Sequence, residues 1–293
     1  TREEDVVTKL FLSSNHSYLL YFTDMGRVYR TKTYNIPEAG RTAKGTPVVN
    51  IIEKSPEEKI SEIIPVKEFS DNEYLVMVTK NGIIKKTPAS EYESIRKSGK
   101  IAITLKEGDE LISIFKTTGN DNIFLATRNG MAICFNENDA RAVGRTASGV
   151  KAIDLADGDY VVGAEPVRED SKVLLVTDGG YGKCTDLTSF RIQHRGGKGL
   201  KAYKITEKTG NIIGISMVND SEELIMVTSE GVVIRIRIKD IATTTGRITQ
   251  GVRLINLDDG VTVVSMDKIS AEDAVEEESE ENNTEVTTET TEE

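Results

Sequence analysis

The chain has 293 residues, and its hydrophobic content of 38% is enough to bury a core without the help of disulfides. The sequence has no run of 18 apolar residues and no secretory signal at its start, so we expect a cytoplasmic protein. The chain has only two histidines and two cysteines, which are few candidates for metal ligands or for an activated nucleophile, and we expect no cofactor.

The formal net charge of −11 is distributed unevenly. Residues 271–293 hold eleven of the 48 acidic residues and no lysine or arginine, which leaves 37 acidic and 37 basic residues in the rest of the chain. This segment is rich in Glu and Thr and has too little apolar surface to offset the entropy of ordering, so we predict a disordered acidic tail. It either solubilises the protein or competes with nucleic acid for a cationic surface, and we favour the second role.

One short phrase occurs five times along the chain: an apolar run, a Thr, two turn-forming residues, a Gly and a second strand-like run. The glycine supplies the positive φ of a tight hairpin turn, and the all-apolar first run is typical of a strand buried on both faces. The predicted hairpins lie near residues 18–31, 74–87, 122–135, 172–185 and 223–236, and their turn glycines are 56, 48, 50 and 51 residues apart.

A second phrase begins with Arg, ends with Gly and follows each hairpin: "RTAKG" (41–45), "RKSG" (96–99), "RTASG" (145–149), "RGGKG" (195–199) and "RITQG" (247–251). A third strand, a polar turn and a fourth strand then complete each period. Four strands in each period of this length are typical of a propeller blade. We therefore predict an all-β, propeller-like β-pinwheel of four-stranded blades over residues 1–270, with five complete repeats plus an incomplete first blade represented by a strand at 5–12.

Basic residues recur in register within these repeats. An Arg begins all five loop phrases, and other cations cluster beside the phrases and four residues after the turn glycines. Equivalent positions on successive blades lie along one rim, so this pattern predicts a curved cationic track that contacts many phosphates of double-stranded DNA. The predicted DNA-binding rim consists of Arg30, Lys32, Arg41, Lys44, Lys85, Lys86, Arg96, Lys97, Lys100, Arg145, Lys151, Lys183, Lys201, Arg235, Arg237, Arg247 and Arg253.

Catalytic interpretations of the same residues are weaker. Lys198 is followed by Gly199 rather than by the Ser or Thr of a phosphate-binding loop, and no helix follows it. Acidic pairs such as Asp157 and Asp159 lie in inter-strand turns, so we expect no catalytic residue in this chain. The remaining alternative is that the shared arginines pair with turn acids, but their recurrence in five copies favours DNA.

The stretch "QHRGGKG" resembles the Gln-Arg-Arg-Gly-Gly-Lys-Gly box of bacterial DNA gyrase, a type IIA topoisomerase, in which the box belongs to the A subunit. "YNIPEAGRTAKGTPVVNII" and "AVGRTASGVKAIDL" resemble blade loops of that subunit's C-terminal domain, and the resemblance covers nearly all of residues 3–269. The box would consist of Gln193, His194, Arg195, Gly196, Gly197, Lys198 and Gly199, with His194 in place of an arginine.

The resemblance implies a non-catalytic domain that wraps DNA with a positive crossing, which the enzyme core converts into negative supercoils in an ATP-dependent reaction. It also implies that the partners are the B subunit together with the remainder of the A subunit, in a heterotetramer associated with the nucleoid. In isolation the domain should be monomeric.

Two features depart from the family pattern. The box lies in the fourth of five repeats instead of the first, and Cys134 and Cys184 occupy positions that are basic in other repeats, which should weaken the track there. Within the family, the alternative is the corresponding C-terminal domain of topoisomerase IV, whose box is usually degenerate. A propeller for protein interactions is a further alternative, but the chain has no Trp and only 5% aromatic residues to serve as hot spots.

Overall fold

The computed structural model describes residues 11, 13–39 and 43–270. The acidic tail predicted at 271–293, Arg41 and nearly all of the strand predicted at 5–12 lie outside the described residues. None of the helices in the described ranges has the length and hydropathy needed to cross a bilayer.

The described residues form twenty strands and six 3-10 helices of three or four residues. The strands are β1 (Tyr18–Thr23), β2 (Arg27–Lys32), β3 (Ile60–Val66), β4 (Tyr74–Thr79), β5 (Ile83–Pro88), β6 (Lys100–Ile101), β7 (Leu111–Thr117), β8 (Asn122–Thr127), β9 (Met131–Asn136), β10 (Val150–Lys151), β11 (Val161–Pro166), β12 (Lys172–Thr177), β13 (Tyr181–Asp186), β14 (Leu200–Lys201), β15 (Ile212–Val218), β16 (Glu223–Thr228), β17 (Val233–Arg237), β18 (Thr243–Thr244), β19 (Val252–Arg253) and β20 (Val263–Ile269). The 3-10 helices are Thr33–Asn35, Val48–Asn50, Ala89–Tyr92, Glu137–Asp139, Leu187–Ser189 and Ile238–Asp240.

Each of the five repeated phrases forms an antiparallel hairpin, such as β4 with β5 and β8 with β9. The shared Thr stabilises the turn locally: the Thr79 hydroxyl accepts a hydrogen bond from the Ile83 amide at 3.2 Å, and Thr127 does the same for Met131 at 3.2 Å. The turn glycines have positive φ, for example 81° at Gly82, as the sequence pattern predicts.

The strands assemble into five small sheets, one for each repeat, which we call blades 1 to 5. Their strand orders are β3-β1-β2-β6, β7-β4-β5-β10, β11-β8-β9-β14, β15-β12-β13 with β18 and β19 both along β13, and β20-β16-β17. The predicted all-β, propeller-like arrangement is thus confirmed.

The outer strand of a blade comes from the following repeat, a detail that the sequence period does not indicate. Val150 of β10, in the third repeat, pairs with Ile84 of blade 2, and Leu200 of β14, in the fourth, pairs with Ala132 of blade 3. Blade 5 has three strands among the described residues, and its outer strand β17 begins at Val233, which is 46% exposed. The third strand that the sequence predicts after the first loop phrase, at "VVNII" (48–52), is a 3-10 turn at Val48–Asn50 instead.

The hydrophobic core is divided between adjacent blades. Alternate residues of β4 face opposite ways, since Leu75 and Met77 pack with blade 1 whereas Val76 and Val78 pack with blade 3. Both faces of the hairpins in blades 2 to 4 are therefore covered, which explains why their first strands are continuously apolar.

Candidate nucleic-acid interface

Four of the five Arg-to-Gly phrases are fully described, and we call residues 96–99, 145–149, 195–199 and 247–251 the rim loops. Each rim loop comes just before a short strand, β6, β10, β14 or β19, which pairs along the outer hairpin strand of the preceding blade. The rim loops consequently recur at the outer edge of successive blades, as the repeat pattern predicts.

The glycine that closes each rim loop allows the backbone to approach the preceding blade closely. At Gly199, where φ is +74°, a Cβ atom would lie 2.4 Å from the carbonyl oxygen of Ala132. No other residue fits there without displacement of backbone, because Cβ atoms do not come this close to an oxygen. The final Gly of the phrase therefore fixes the loop to its neighbour.

Neighbouring rim loops are also hydrogen-bonded to one another. The Arg195 side chain donates through Nη1 to the carbonyl of Lys151 at 3.0 Å, and Arg247 donates to the carbonyl of Lys201 at 3.5 Å. Arg145 donates in the same way to Ile101. The initial Arg of each of these phrases thus reaches back to the short strand that follows the preceding rim loop, and the rim is one connected chain of loops.

The box at residues 193–199 is anchored by a carboxylate that no sequence pattern singles out. Asp139, at the end of a 3-10 helix in the preceding repeat, accepts from the backbone N–H of Arg195 at 3.1 Å and lies 3.3 Å from Nδ1 of His194. Arg195 Nε in turn donates to the Asp139 carbonyl at 2.8 Å. These contacts hold the backbone of the box while the His194 side chain remains 98% exposed.

The remaining residues of the box face in different directions. Lys198 and Gly197 are exposed, and the nearest atom to a Cβ at Gly197 would be the His194 carbonyl oxygen at 4.0 Å. Gln193 donates its backbone N–H to the Cys134 carbonyl at 2.8 Å, and its Oε1 atom is buried. The box therefore offers His194, Lys198 and part of Arg195 to an external partner, and Gln193 supports the loop.

Most predicted rim cations reach solvent. The exposed ones are Lys44, Arg96, Lys97, Lys151, Lys201, Arg235, Arg237 and Arg253. The partly exposed ones are Arg30, Lys32, Lys100, Arg145 and Arg247. Together they place solvent-accessible positive charge along the rim, which is the arrangement that non-specific phosphate binding requires.

Several of these cations have partners that limit their positive field. Lys151 Nζ lies 2.9 Å from Asp154, whose pKa is lowered mainly by this hydrogen bond and charge and further by Lys198. Arg237 lies 2.8 Å from Asp240, and Arg235 pairs with Glu223. Exposed pairs of this kind contribute little to stability, so a phosphate can replace the carboxylate at small cost.

The structure corrects the predicted rim at three positions. Lys85, Lys86 and Lys183 are 1%, 4% and 0% exposed, so their ammonium groups cannot reach a phosphate. The physical reason is that neighbouring blades cover both faces of the second hairpin strand. Lys86 Nζ instead forms a buried ion pair with Glu137 at 2.9 Å.

Because this position of the hairpin is buried, the two cysteines do not interrupt the cationic track as the sequence suggested. Cys134 and Cys184 occupy the position of Lys86 in their repeats, and all three side chains point into the core. Burial raises the pKa of both thiols to about 11, which makes them inert packing residues. The described residues contain no group of three or more His, Cys, Asp or Glu side chains arranged to hold a metal ion.

A pinwheel of blades with exchanged outer strands and a connected cationic rim places this chain in the class of the C-terminal domains of bacterial type IIA topoisomerases. Its structure is similar to the C-terminal domain of DNA topoisomerase IV, with a TM-score of 0.83 and 28% identity over 92% of this chain and 84% of that one. It is also similar to a DNA gyrase A C-terminal domain, with a TM-score of 0.74 and 25% identity over 87% and 83%.

The sequence comparisons define the family within that class. The family model "DNA gyrase C-terminal domain, beta-propeller" matches residues 17–67, 73–118, 121–168, 171–219 and 222–270, one match for each repeat, and the chain belongs to this family. It is 55% identical to the DNA gyrase A subunit of Halalkalibacterium halodurans over 93% of this chain, and 49% identical to that of Clostridium acetobutylicum over 94%. The chain spans 33% of the length of each of these relatives.

Proposed function

We propose that this domain binds double-stranded DNA along its rim loops and wraps it around the outer edge of the blades. The observation that carries the proposal is the connected chain of rim loops, in which the Arg of one loop is hydrogen-bonded to the strand after the preceding loop. Because the loops recur at a constant position on successive blades, a DNA backbone that follows them must curve.

The contacts that this surface offers suit the phosphate backbone. Arg, Lys and exposed backbone N–H groups bind phosphate without reading sequence, and such cations outnumber the exposed large apolar side chains of the rim, which are Ile101, Val150, Ile192, Ile248 and Val252. The proposed DNA-binding residues are accordingly the box and the exposed cations of the rim, without Lys85, Lys86 and Lys183.

In the intact enzyme, we infer, the wrapped DNA forms a positive crossing that the core of the enzyme converts into negative supercoils at the expense of ATP. This domain then supplies DNA geometry and no catalytic group, and its partners are the B subunit together with the remainder of the gyrase A subunit. The similarity to gyrase A subunits supports the assignment to gyrase. We also propose a cytoplasmic, nucleoid-associated location and a monomeric isolated domain.

The alternative within the class is a topoisomerase IV domain, which the TM-score of 0.83 favours. The gyrase assignment is supported instead by the sequence relatives and by the box at Gln193–Gly199. The resemblance assigns a DNA-wrapping box to gyrase and a degenerate box to topoisomerase IV, so the topology of bound DNA separates the two assignments.

The test compares the wild-type chain with Arg195→Ala/Lys198→Ala on a duplex of roughly 150 base pairs, about one persistence length. Affinity is measured across a salt series, and DNA writhe is measured in parallel by ligation of relaxed nicked circles. Loss of two phosphate contacts should lower the salt slope by about 2 and the affinity roughly 30-fold at physiological salt. Lys67→Ala/Lys106→Ala removes two exposed lysines outside the rim loops and is the matched control.

Salt-dependent binding with positive writhe, lost in the box variant and kept in the control, would support wrapping through the box. Equal losses in both double variants would show that only net charge matters. Binding without writhe would favour the topoisomerase IV alternative, and absence of DNA binding would refute the proposal in favour of a protein partner.

A further inference from the structure

Two buried lysines occupy the same position in alternate blades. Lys85 and Lys183 each lie three residues after a turn glycine, on the second hairpin strand of blades 2 and 4, and are 1% and 0% exposed. Neither contacts solvent, so neither belongs to the DNA-binding surface described above.

Both ammonium groups donate hydrogen bonds to a rim loop of the next repeat. Lys183 Nζ donates to the carbonyl of Arg247, to the carbonyl of Gly246 at 3.4 Å and to Oγ1 of Thr249 at 3.2 Å. These three acceptors match the three N–H donors of a lysine ammonium group.

Lys85 makes the equivalent contacts in blade 2, two blades before Lys183. Its Nζ donates to the carbonyl of Arg145 and to the carbonyl of Ala102. In both blades the contacted carbonyl belongs to the arginine that begins the rim loop, and in both the acceptors are uncharged.

Packing of the core does not require lysine at this position. The equivalent residue is Ile133 in blade 3 and Ile234 in blade 5. A buried ammonium group with uncharged partners is costly relative to an aliphatic side chain of similar volume. Its presence in two blades therefore indicates a role in the rim loops that isoleucine cannot perform.

We propose that Lys85 and Lys183 are positioning residues, which fix the rim loops at Arg145 and Arg247 in the conformation that presents these arginines to DNA phosphates. The inference rests on the proposed function of the rim. Each arginine is then held at two points, at its carbonyl by the buried lysine and at its guanidinium by the preceding short strand. The unused guanidinium N–H groups are preorganised, which lowers the entropic cost of binding.

The box loop belongs to the fourth repeat and packs against blade 3, and it is held without a buried lysine. There the residue three after the turn glycine is Ile133, and the loop backbone is held by Asp139 through the Arg195 N–H at 3.1 Å. The Asp139 carboxylate thus holds the backbone of the box by a hydrogen bond, as the buried lysines hold the rim loops at Arg145 and Arg247.

The test uses Lys183→Met and Lys85→Met, which remove the donor and retain most of the volume. Lys106→Met, at an exposed lysine of an inter-strand turn, is the control for loss of one charge. We expect each buried variant to bind the duplex of roughly 150 base pairs about fivefold more weakly at physiological salt, with a salt slope lower by about 1, the effect of one lost phosphate contact. The melting temperature should change little, because the cost of leaving the loop carbonyls without a donor opposes the gain from removing a buried, poorly solvated amine.

A double-mutant cycle separates positioning from general destabilisation. In an Arg247→Ala background, Lys183→Met should cause no further loss of DNA affinity, because its effect passes through Arg247. Hydrogen exchange gives a second measurement: the amide of Ala147, which donates to the Gly144 carbonyl at 3.1 Å at the rim loop of Arg145, should exchange faster in Lys85→Met, whereas amides of Tyr74–Thr79 should not change.

If both buried variants bind DNA like Lys106→Met and the exchange of the Ala147 amide is unchanged, the inference is wrong. It is also wrong if the two losses in the cycle simply add. The proposed function then still stands provided that Arg195→Ala/Lys198→Ala weakens binding. If the wild-type chain does not bind DNA, the proposed function fails and this inference fails with it.

Discussion

The glycine that ends a rim loop provides a quantitative test of how the loops are attached to the blades. Gly149 ends the loop at 145–149 and has a φ of +89°. A Cβ atom at this position would lie 2.4 Å from the carbonyl oxygen of Ile84 and 3.0 Å from its carbonyl carbon. Gly149→Ala therefore combines backbone strain with a clash against the outer hairpin strand of blade 2.

The two contributions can be separated with a second variant in the same repeat. Gly158 has a φ of +77° and no atom within 4 Å of the site of a Cβ, so Gly158→Ala measures the backbone strain alone. That strain should cost about 1–2 kcal/mol. Gly149→Ala adds displacement of packed backbone, for which about 1–3 kcal/mol is typical, giving a total of roughly 2–5 kcal/mol.

The assay is thermal unfolding of both variants and the wild type, with urea unfolding to compare free energies directly. For a domain of this size each kcal/mol lowers the melting temperature by about 2–4 °C. We expect Gly149→Ala to melt below Gly158→Ala by roughly 2–12 °C. Equal melting temperatures would refute the close attachment of the rim loop to the preceding blade.

Three further predictions concern buried groups. Glu137→Gln leaves the Lys86 ammonium group without its charge partner and should cost about 3–5 kcal/mol in urea unfolding, whereas Lys86→Met/Glu137→Gln should recover most of that loss; a double variant as unstable as Glu137→Gln would contradict the pairing. Cys134 and Cys184 should resist alkylation at pH 8 until urea is added, because burial raises both thiol pKa values to about 11, and rapid labelling of the folded protein would contradict their placement. Burial, followed by the Arg145 charge, lowers the pKa of Lys85 to about 7 from 10.5 in the unfolded chain. Between these two pH values the unfolded state binds more protons than the folded state, so the free energy of unfolding should rise from pH 7 to pH 8.5. Lys85→Met should reduce that rise, and an unchanged slope of the free energy against pH would refute the assignment.

The hairpins could be predicted from sequence because their determinants are local. The Thr hydroxyl, the positive φ of the turn glycine and the apolar first strand all act within one repeat. The exchange of outer strands could not be predicted, because β10 and β14 have two residues each and their partners lie in the preceding repeat. Such short strands carry no periodic signal.

The error at the buried lysines has a different cause. Residue type indicated a cationic surface, but the direction of the second hairpin strand depends on blades that cover both of its faces. A signal was available in the aligned repeats, since Ile133 and Ile234 occupy the position of Lys85. Asp139 was missed because its contact with the box lies 56 residues away along the chain.

The exchange of outer strands has a consequence for how such a domain changes in length over evolution. The unit that can be gained or lost is the sequence period, because each of the first four periods receives a strand from its successor and each of the last four donates one to its predecessor. A deletion that joins equivalent rim-loop positions of two periods leaves each surviving hairpin with an outer strand from the next period. Removal of the strands that form one blade in space, in contrast, leaves one short strand without a hairpin to pair with and one hairpin without an outer strand. Duplication or loss of whole periods is therefore the change that preserves the continuity of the rim.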